Sequence, residues 1–316
     1  MRLLVLGAGA LGGYFGGRAL ERGLDVAFVV RPRRAAQLAA RGLIVRSPLG
    51  DIERPVTTLA EAGPGFDVVL LSCKAYDLDA AIAAIRPAVE AGACVLPVLN
   101  GLAHMQALND AFGTARVWGG LAKCQATLTP DGEVRHLGDW RWLIFGAQEG
   151  QSPDRAAALA TALGQDAALV AEAVPDIAFR MWQKLVHLGT VAAATVLMRA
   201  NVGEILRAGG EAFLLTLLDR NVAIAAAHGH VMDEGFMASY RALFTDRASL
   251  YTASMLRDLE AGGQTEADHI LGWLAAAARR AGVEPDLHNL AHLHARAFDQ
   301  RRDSGRLPAA TAEKGS

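Results

Sequence analysis

The sequence predicts an α/β protein with a doubly wound parallel sheet in its N-terminal part and an all-helical C-terminal part. Short apolar strand patterns alternate with helical patterns as far as about residue 175, and this order is typical of a parallel sheet with helices on both faces. Beyond residue 175 only helical patterns occur. We therefore expect one domain over residues 1–175, a second over 176–303, and a disordered tail over 304–316.

The composition fits a globular protein with a sizeable core. Of the 316 residues 52% are hydrophobic, and the formal net charge of −2 argues against a nucleic-acid partner. Cys73, Cys94 and Cys124 are widely spaced and give neither a disulfide framework nor a metal motif, which is typical of a reducing compartment. The chain begins directly on a strand pattern, and its longest near-apolar run, 185–198, is too short for a bilayer. We expect a cytoplasmic protein without a membrane partner.

The first strand pattern, Arg2–Leu6, leads into a G-x-G-x-x-G loop at Gly7, Gly9 and Gly12, after which a helical pattern begins. Gly7 permits a sharp turn, Gly9 lets a pyrophosphate approach the backbone, and Gly12 lets the helix pack on the strand. The helix start offers unpaired N–H groups to phosphates. The sequence therefore predicts a Rossmann-type dinucleotide site, with a plain glycine-rich turn as the alternative. The predicted cofactor-binding residues of the loop are Gly7, Ala8, Gly9, Ala10, Leu11 and Gly12.

The end of the second strand pattern, 24–30, indicates which dinucleotide binds. Sites for NAD usually place an acidic residue here to bind the ribose hydroxyls, whereas this chain has Arg31. A guanidinium binds a 2′-phosphate and a carboxylate repels it, so the sequence favours NADPH over NADH and disfavours FAD. Arg33 and Arg34 are weaker candidates for the same contact. The alternative is that these arginines only solvate the strand end.

The remaining elements follow from apolar spacing and from Gly and Pro breaks. The predicted strands are 43–46, a stretch near 55–58, 67–73, 93–99, a strand ending near 128, 133–136, 142–145 and 167–172. The predicted helices are 35–41, 79–86, 102–112, one after 153, 177–199, 204–228, 233–244, 267–280 and 287–301. The later strands are candidates for an antiparallel extension of the main sheet.

Two polar residues directly follow predicted strands. Lys74 comes after Leu-Leu-Ser-Cys, and Asn100 comes after Val-Leu-Pro-Val-Leu. Ligands of open α/β sheets bind at the carboxyl ends of the strands, where the glycine loop also lies. We therefore expect both side chains to face the bound cofactor. The alternatives are a solvated lysine and a turn-forming Asn-Gly pair.

Lys184 lies near the start of the most apolar helix pattern, where burial would lower the pKa of its ammonium toward neutrality. Such a group suits a proton donor to an alkoxide formed by hydride transfer, although a lysine that snorkels from a helix end is the alternative. Glu266, at a helix start after a Gly-Gly pair, would by itself be a capping acid. His288 and His292 have i, i+4 spacing, which fits either a metal pair or a packed helix face.

Six blocks that carry these residues occur in order along nearly the whole chain. They are Gly7-Ala8-Gly9-Ala10-Leu11-Gly12-Gly13, Cys73-Lys74-Ala75-Tyr76, Leu99-Asn100-Gly101, Met181-Trp182-Gln183-Lys184-Leu185, Gly203-Glu204-Ile205, and Ser254-Met255-Leu256-Arg257-Asp258 followed by Thr265-Glu266-Ala267-Asp268. In these blocks the chain resembles the ketopantoate reductase (2-dehydropantoate 2-reductase) family. The glycine loop is generic, whereas the Lys184 block followed by the Ser254 and Glu266 block is specific.

The resemblance implies an NADP-dependent oxidoreductase that reduces ketopantoate, or a similar 2-keto acid, to the 2-hydroxy acid, as in pantothenate biosynthesis. It implies that Lys184 is the general acid and that Glu266 hydrogen-bonds the reacting substrate and orients the lysine. Asn100 and Lys74 would position cofactor and substrate, and Ser254 would contact the substrate carboxylate. The helical half has enough apolar surface for a homodimer, and a monomer is equally allowed.

The chain departs from the family pattern one and two helical turns after the lysine. Family asparagines that meet the substrate are replaced there by Leu188 and Ala192, and another is replaced by Val202 beside Asn201. Residues at i, i+4 and i+8 share a helix face, so we expect this wall to be apolar and to discriminate poorly for a substrate hydroxyl. The alternatives are a relative that reduces a more apolar keto acid or ketone, an opine-type dehydrogenase acting on an imine, and a dinucleotide sensor without turnover.

Overall fold

The computed structural model describes residues 1–307, so residues 308–316 of the predicted tail lie outside the described residues. The strands are β1 Arg2–Leu6, β2 Asp25–Val29, β3 Leu43–Arg46, β4 Ile52–Arg54, β5 Thr57–Leu59, β6 Val68–Leu71, β7 Cys94–Pro97, β8 Gly119–Leu128, β9 Val134–Gly146 and β10 Val170–Ala173. The helices are α1 Ala10–Glu21, α2 Pro32–Arg41, α3 Leu78–Glu90, α4 Ala103–Phe112, α5 Asp154–Leu163, α6 Ile177–Met198, α7 Val202–Arg207, α8 Glu211–Ala227, α9 Glu234–Leu243, α10 Ser254–Glu260, α11 Trp273–Ala281 and α12 Asp286–Asp303.

The chain divides into two compact units. The first comprises Met1–Asn100 and His104–Met181, and the second comprises Gly101–Ala103 and the chain from Trp182 on. All ten strands lie in the first unit, whereas α7 to α12 lie in the second. Helix α6 begins in the first unit and continues in the second. None of the helices within residues 1–307 is both long and apolar enough to cross a lipid bilayer.

The main sheet of the first unit has the order β5-β2-β1-β6-β7, and every neighbouring pair is parallel. Strands β2 and β5 lie on one side of β1 in the sheet, and the later strands β6 and β7 lie on its other side. The strand order therefore reverses between β1 and β6, which confirms the predicted doubly wound α/β fold. In such sheets the reversal creates a crevice at the carboxyl ends of the central strands.

The central strands read as continuous apolar runs because both faces of this sheet are covered. Leu3 and Val5 of β1 belong to one core cluster, and Leu4 and Leu6 belong to a second cluster. The first cluster includes helix α1 and the second sheet, and the second cluster includes α3. Alternating side chains of β1 thus fill both cores, as the twofold repeat of a strand requires.

The later strands form a second sheet and do not extend the main one, so that expectation is wrong. The second sheet has the order β10-β9-β3-β4, with β8 antiparallel to β9. The two strands predicted over 133–136 and 142–145 are one strand, β9. The polar break between them is a bulge, because Cys124 pairs with Arg141 while Ala126 pairs with His136. Exposed Leu137 lies in this bulge.

The helical unit also differs from the sequence expectation in three places. The helix predicted over 204–228 is two helices, α7 and α8, because Gly209 adopts a φ of +90° and ends the first. Helix α10 was not predicted. The helix predicted over 267–280 begins with a π-helical turn, Asp268–Gly272, before α11.

Candidate functional site

The glycine loop shows a different physical constraint at each of its three glycines. Gly7 has a φ of +90°, a backbone region that L side chains rarely adopt. A Cβ at Gly12 would lie 2.1 Å from the Gly7 carbonyl oxygen and 2.5 Å from Ser72 Oγ, so the helix can pack there only on a glycine. A Cβ at Gly9 would meet no heavy atom of the described chain within 4 Å apart from its sequence neighbours. The backbone at Gly12 is tightly packed, whereas the space beside Gly9 is empty, and a pyrophosphate could approach the backbone there.

Helix α1 begins directly after Gly9, which caps it without any side-chain hydrogen bond. Its first turn carries no acidic residue. The first N–H groups of a helix have no partner within the helix and form a positive end that attracts anions. The helix start therefore suits a phosphate group.

Arg31 caps α2 at the end of β2, and its side chain is 77% exposed. Its Nη2 donates to Asp77 Oδ1 at 2.9 Å. Asp77 belongs to the 3-10 turn Ala75–Asp77 that follows Lys74. The ion pair connects the segments that follow β2 and β6. The Asp77 carboxylate therefore bonds to one nitrogen of Arg31, the residue that the sequence predicts to bind a 2′-phosphate.

Arg34 is partly buried in the first unit, where it bonds to two backbone carbonyls. Its Nε donates to the Ala8 carbonyl at 2.9 Å, and its Nη1 donates to the Gly132 carbonyl at 2.7 Å. Burial lowers the pKa of this guanidinium from its usual value. The side chain connects the glycine loop to the turn between β8 and β9, a bracing role that the sequence did not indicate.

Lys74 and Asn100 follow neighbouring strands that end at the same level. Leu6, the last residue of β1, is in register with Leu71 of β6, and Leu71 is in register with Pro97 of β7. Each of the two polar residues comes three positions after its strand. The glycine loop, Lys74 and Asn100 therefore follow three adjacent strands at the carboxyl edge of the main sheet, beside the reversal of strand order.

In the helical unit, Lys184 lies on α6 and is partly buried. Ser254 is the first residue of α10 and is also partly buried. The N–H of Ala253, just before α10, donates to Thr195 Oγ1 of α6 at 3.4 Å. This contact attaches the start of α10 to the helix that carries the lysine.

Glu266 is only 5% exposed and lies in a segment that α12 braces on one side. Thr265 Oγ1 donates to Asp299 Oδ2 at 2.6 Å, and Arg302 also pairs with Asp299. Asp299 of α12 therefore holds the residue directly before Glu266. These contacts fix the backbone position of the residue directly before Glu266.

Helix α12 braces the other side of Glu266 as well. His292 Nε2 lies 2.6 Å from Asp268 Oδ1, at the start of the π-helical turn. A Cβ at Gly272, at the end of that turn, would lie 2.9 Å from the His292 ring. The glycine thus lets α12 pack closely on the turn. Isolated π-helical turns are frequent at functional sites, and the only sequence signal here is Gly272.

The two histidines considered as a metal pair have separate partners. His288 Nε2 bonds to Asn221 Oδ1 at 2.9 Å in the core, and His292 bonds to Asp268. Burial lowers the pKa of His288 to about 4. Residues 1–307 contain no group of three His, Cys, Asp or Glu side chains placed to hold a metal ion.

The residues that replace family asparagines differ in exposure. Ala192 and Val202 are 0% exposed and lie in the core, whereas Leu188 is partly exposed one turn after Lys184 on α6. Of these three residues, only Leu188 is exposed enough to contact a bound substrate, while Ala192 is packed inside.

Comparison with known proteins assigns both parts of the chain to one family. The family model Ketopantoate reductase PanE/ApbA matches residues 3–150, and Ketopantoate reductase PanE/ApbA C terminal matches residues 176–297. The uncharacterized oxidoreductase YkpB of Bacillus subtilis is 33% identical over 283 residues, which cover 89% of this chain and 93% of that protein.

Solved structures show the same fold. The 2-dehydropantoate 2-reductase of Methylococcus capsulatus has a TM-score of 0.85 and 28% identity, covering 96% of this chain and 98% of that one. A D-mandelate dehydrogenase solved with NADH and anilino(oxo)acetate has a TM-score of 0.84 and covers 96% of this chain and 100% of its own, but at 20% identity it supports the fold alone. This chain is an oxidoreductase of the ketopantoate reductase PanE/ApbA family.

Proposed function

We propose that the protein uses NADPH to reduce a 2-keto acid to the 2-hydroxy acid, with ketopantoate as the first substrate to test. The observation that carries the proposal is the position of Glu266. It is a buried carboxylate, braced on both sides by α12, in a helical unit that also presents the family lysine, Lys184, on α6. An acid held in a fixed position can orient a proton donor and a substrate.

The residues divide into two groups by role. Gly7 to Gly12 and the start of α1 hold the pyrophosphate, and Arg31 holds the 2′-phosphate. Lys74 and Asn100, at the same sheet edge, position the nicotinamide end and the substrate. When bound, the cofactor supplies the hydride that attacks the keto carbon.

The helical unit supplies the proton and the orientation. The Lys184 ammonium donates its proton to the carbonyl oxygen as that oxygen becomes an alkoxide, and solvent returns the proton afterwards. The Glu266 carboxylate accepts a hydrogen bond that orients the lysine and the substrate, and the Ser254 hydroxyl donates to the substrate carboxylate. One hydride at carbon and one proton at oxygen give the 2-hydroxy acid.

A second candidate is a reductase of a more apolar 2-keto acid. Leu188 favours it, because an apolar side chain stands where the family has a substrate-binding amide. The cytoplasmic location and the homodimer remain predictions.

The test is NADPH oxidation, followed by absorbance, with ketopantoate and with a panel of 2-keto acids. The 2-hydroxy acid product is identified by chromatography against standards. We expect oxidation coupled one-to-one to product. Tight NADPH binding without oxidation by any keto acid would contradict the proposal and would favour a sensor or a reductase of another carbonyl or imine.

A further inference from the structure

A group of aromatic side chains lies on the helical unit beside Lys184. We define the aromatic cluster as His187, Phe236, Tyr240, Phe244 and Tyr251. The His187 ring centroid lies 4.8 Å from that of Tyr240 and 5.4 Å from that of Tyr251, and the latter pair is stacked with an interplanar angle of 15°. The Phe236 and Tyr240 centroids are 4.2 Å apart. The rings form one continuous set.

The position of this cluster relates it to the family's functional residues. His187 follows Lys184 by three residues on α6, so the two side chains share a helix face. Tyr251 precedes Ser254 by three residues and reaches α6 through its stacking on His187. Its carbonyl also accepts from the Val202 N–H at 3.1 Å, which fixes the segment before α10. The cluster thus connects the helix of the proton donor to the residue assigned to the substrate carboxylate.

The cluster has a buried base and an accessible front. Phe244 is 0% exposed, whereas Phe236, Tyr240, Tyr251 and His187 are only partly buried. Helix α9, which supplies two of these rings, has no fully buried residue at all. Burial raises the pKa of Tyr251 to about 12, so its phenol stays neutral. These four rings therefore remain partly accessible to a ligand.

The side chain of ketopantoate ends in a hydroxyl, which needs a hydrogen-bonding partner. Next to Lys184 this chain offers Leu188 and then the rings of the cluster. The Leu188 side chain cannot hydrogen-bond a substrate hydroxyl, so the desolvation of that hydroxyl is not offset at this position. Aromatic rings instead bind flat apolar groups through stacked or edge-to-face contacts.

We propose that the aromatic cluster binds the side chain of the substrate and that the preferred substrates are 2-keto acids with an aryl side chain. This inference rests on the proposed 2-keto acid reductase function. It assigns a specificity role to Tyr240 and Tyr251 and a substrate class to the enzyme. The keto and carboxylate groups are handled by the same residues for every substrate.

The experiment compares kcat/KM for phenylglyoxylate, phenylpyruvate, ketopantoate and pyruvate, with NADPH, in the wild-type protein and in Tyr240→Ala, Tyr240→Phe and Ser239→Ala. Ser239 is exposed on α9 and donates to the Gly235 carbonyl of its own helix, so Ser239→Ala is the matched control. We expect wild type to favour an aryl keto acid over ketopantoate by about tenfold or more. Tyr240→Ala should lower the aryl-to-pyruvate selectivity by about fivefold to tenfold, mainly through KM.

The controls separate a binding role from a structural one. Tyr240→Phe keeps the ring and should retain the selectivity, and Ser239→Ala should match wild type. A preference for ketopantoate, or an equal loss on every substrate in Tyr240→Ala, would overturn the inference while leaving the reductase function intact. No turnover with any 2-keto acid, despite NADPH binding, would overturn the proposed function and this inference with it.

Discussion

The hydroxyl of Thr265, the residue directly before Glu266, donates a hydrogen bond of 2.6 Å to the carboxylate of Asp299. Asp299 belongs to α12, and the same helix holds Asp268 through His292. Helix α12 thus contacts the Glu266 segment on both sides. In the proposed mechanism the Glu266 carboxylate must stay within a fraction of an ångström of its working position, so we expect this brace to affect the rate.

The brace predicts a difference between two substitutions at Thr265. Thr265→Val removes the hydroxyl and leaves Asp299 without this donor, which should lower kcat about tenfold and stability by about 1–2 kcal/mol. Thr265→Ser keeps the hydroxyl and should restore most of kcat. Steady-state kinetics and urea unfolding measure both quantities. Equal kcat values for the two variants would show that the hydrogen bond does not position Glu266.

The glycine loop predicts that two glycine-to-alanine changes both weaken NADPH binding but differ in their effect on thermal stability. In Gly12→Ala the Cβ would overlap the Gly7 carbonyl oxygen at 2.1 Å, so the loop must shift, and both thermal stability and NADPH binding should fall. In Gly9→Ala the Cβ meets no described atom within 4 Å beyond its sequence neighbours. Melting should then be unchanged while NADPH affinity drops about tenfold or more, because the Cβ enters the space assigned to the pyrophosphate. If Gly9→Ala bound NADPH with the wild-type affinity, the pyrophosphate would not bind beside Gly9.

Arg31 and Asp77 together predict how the protein chooses its cofactor. Arg31→Ala should reduce kcat/KM for NADPH about tenfold to a hundredfold and leave the value for NADH nearly unchanged, because only the 2′-phosphate contact is lost. Asp77→Asn should raise kcat/KM for NADPH severalfold, since the Asp77 carboxylate, 2.9 Å from Arg31 Nη2, competes with the 2′-phosphate for this arginine. Arg86→Ala, at an exposed arginine of α3, is the control. Parallel losses for both cofactors in Arg31→Ala would refute the phosphate assignment.

The buried His288 predicts a specific loss of stability in acid. Asn221 Nδ2 donates to Thr190 Oγ1, so Asn221 Oδ1 accepts and His288 Nε2 carries the proton of the neutral ring. Burial lowers the folded-state pKa from 6.5 to about 4, and the unfolded state therefore binds more protons between these values. The contribution is fully present above pH 6.5 and is lost as the pH falls toward 4, by about 2 kcal/mol between pH 7 and pH 5.

Urea unfolding over this pH range tests the prediction, with His288→Gln as the control. Glutamine keeps an amide donor for Asn221 but does not titrate. The wild type should lose more stability than the variant as the pH falls below 6.5. Parallel pH profiles would mean that His288 is not the group responsible.

The cofactor-binding part of the fold could be predicted because its signals are local. The spacing of Gly7, Gly9 and Gly12, and the polar residues after apolar strands, fix both the turn chemistry and the sheet edge. By contrast, the separate second sheet depends on pairings between distant strands. The pairing of β3 with β9 joins residues about ninety positions apart, and no local pattern encodes such a contact.

The helical part of the site was predicted less completely for a related reason. The apolar helix pattern indicates Lys184 as a candidate proton donor, whereas only the family resemblance gives roles to Ser254 and Glu266. The α12 brace and the aromatic cluster arise only when helices pack. The position of Ala192 is an example. Helical spacing put it on the lysine's face, yet the packing of the helical unit buries it entirely. The spacing of apolar residues indicates which side chains share a helix face. It does not indicate at which point along the helix other helices pack against that face.

The most direct test of the central claim is the rate of NADPH oxidation by Lys184→Ala with the best keto acid of the panel. We expect kcat to fall by about a hundredfold to ten-thousandfold, because the alkoxide loses its proton donor. NADPH affinity and the melting temperature should stay at their wild-type values. A variant that keeps kcat within a few fold of the wild type would show that Lys184 is not the acid and would contradict the mechanism.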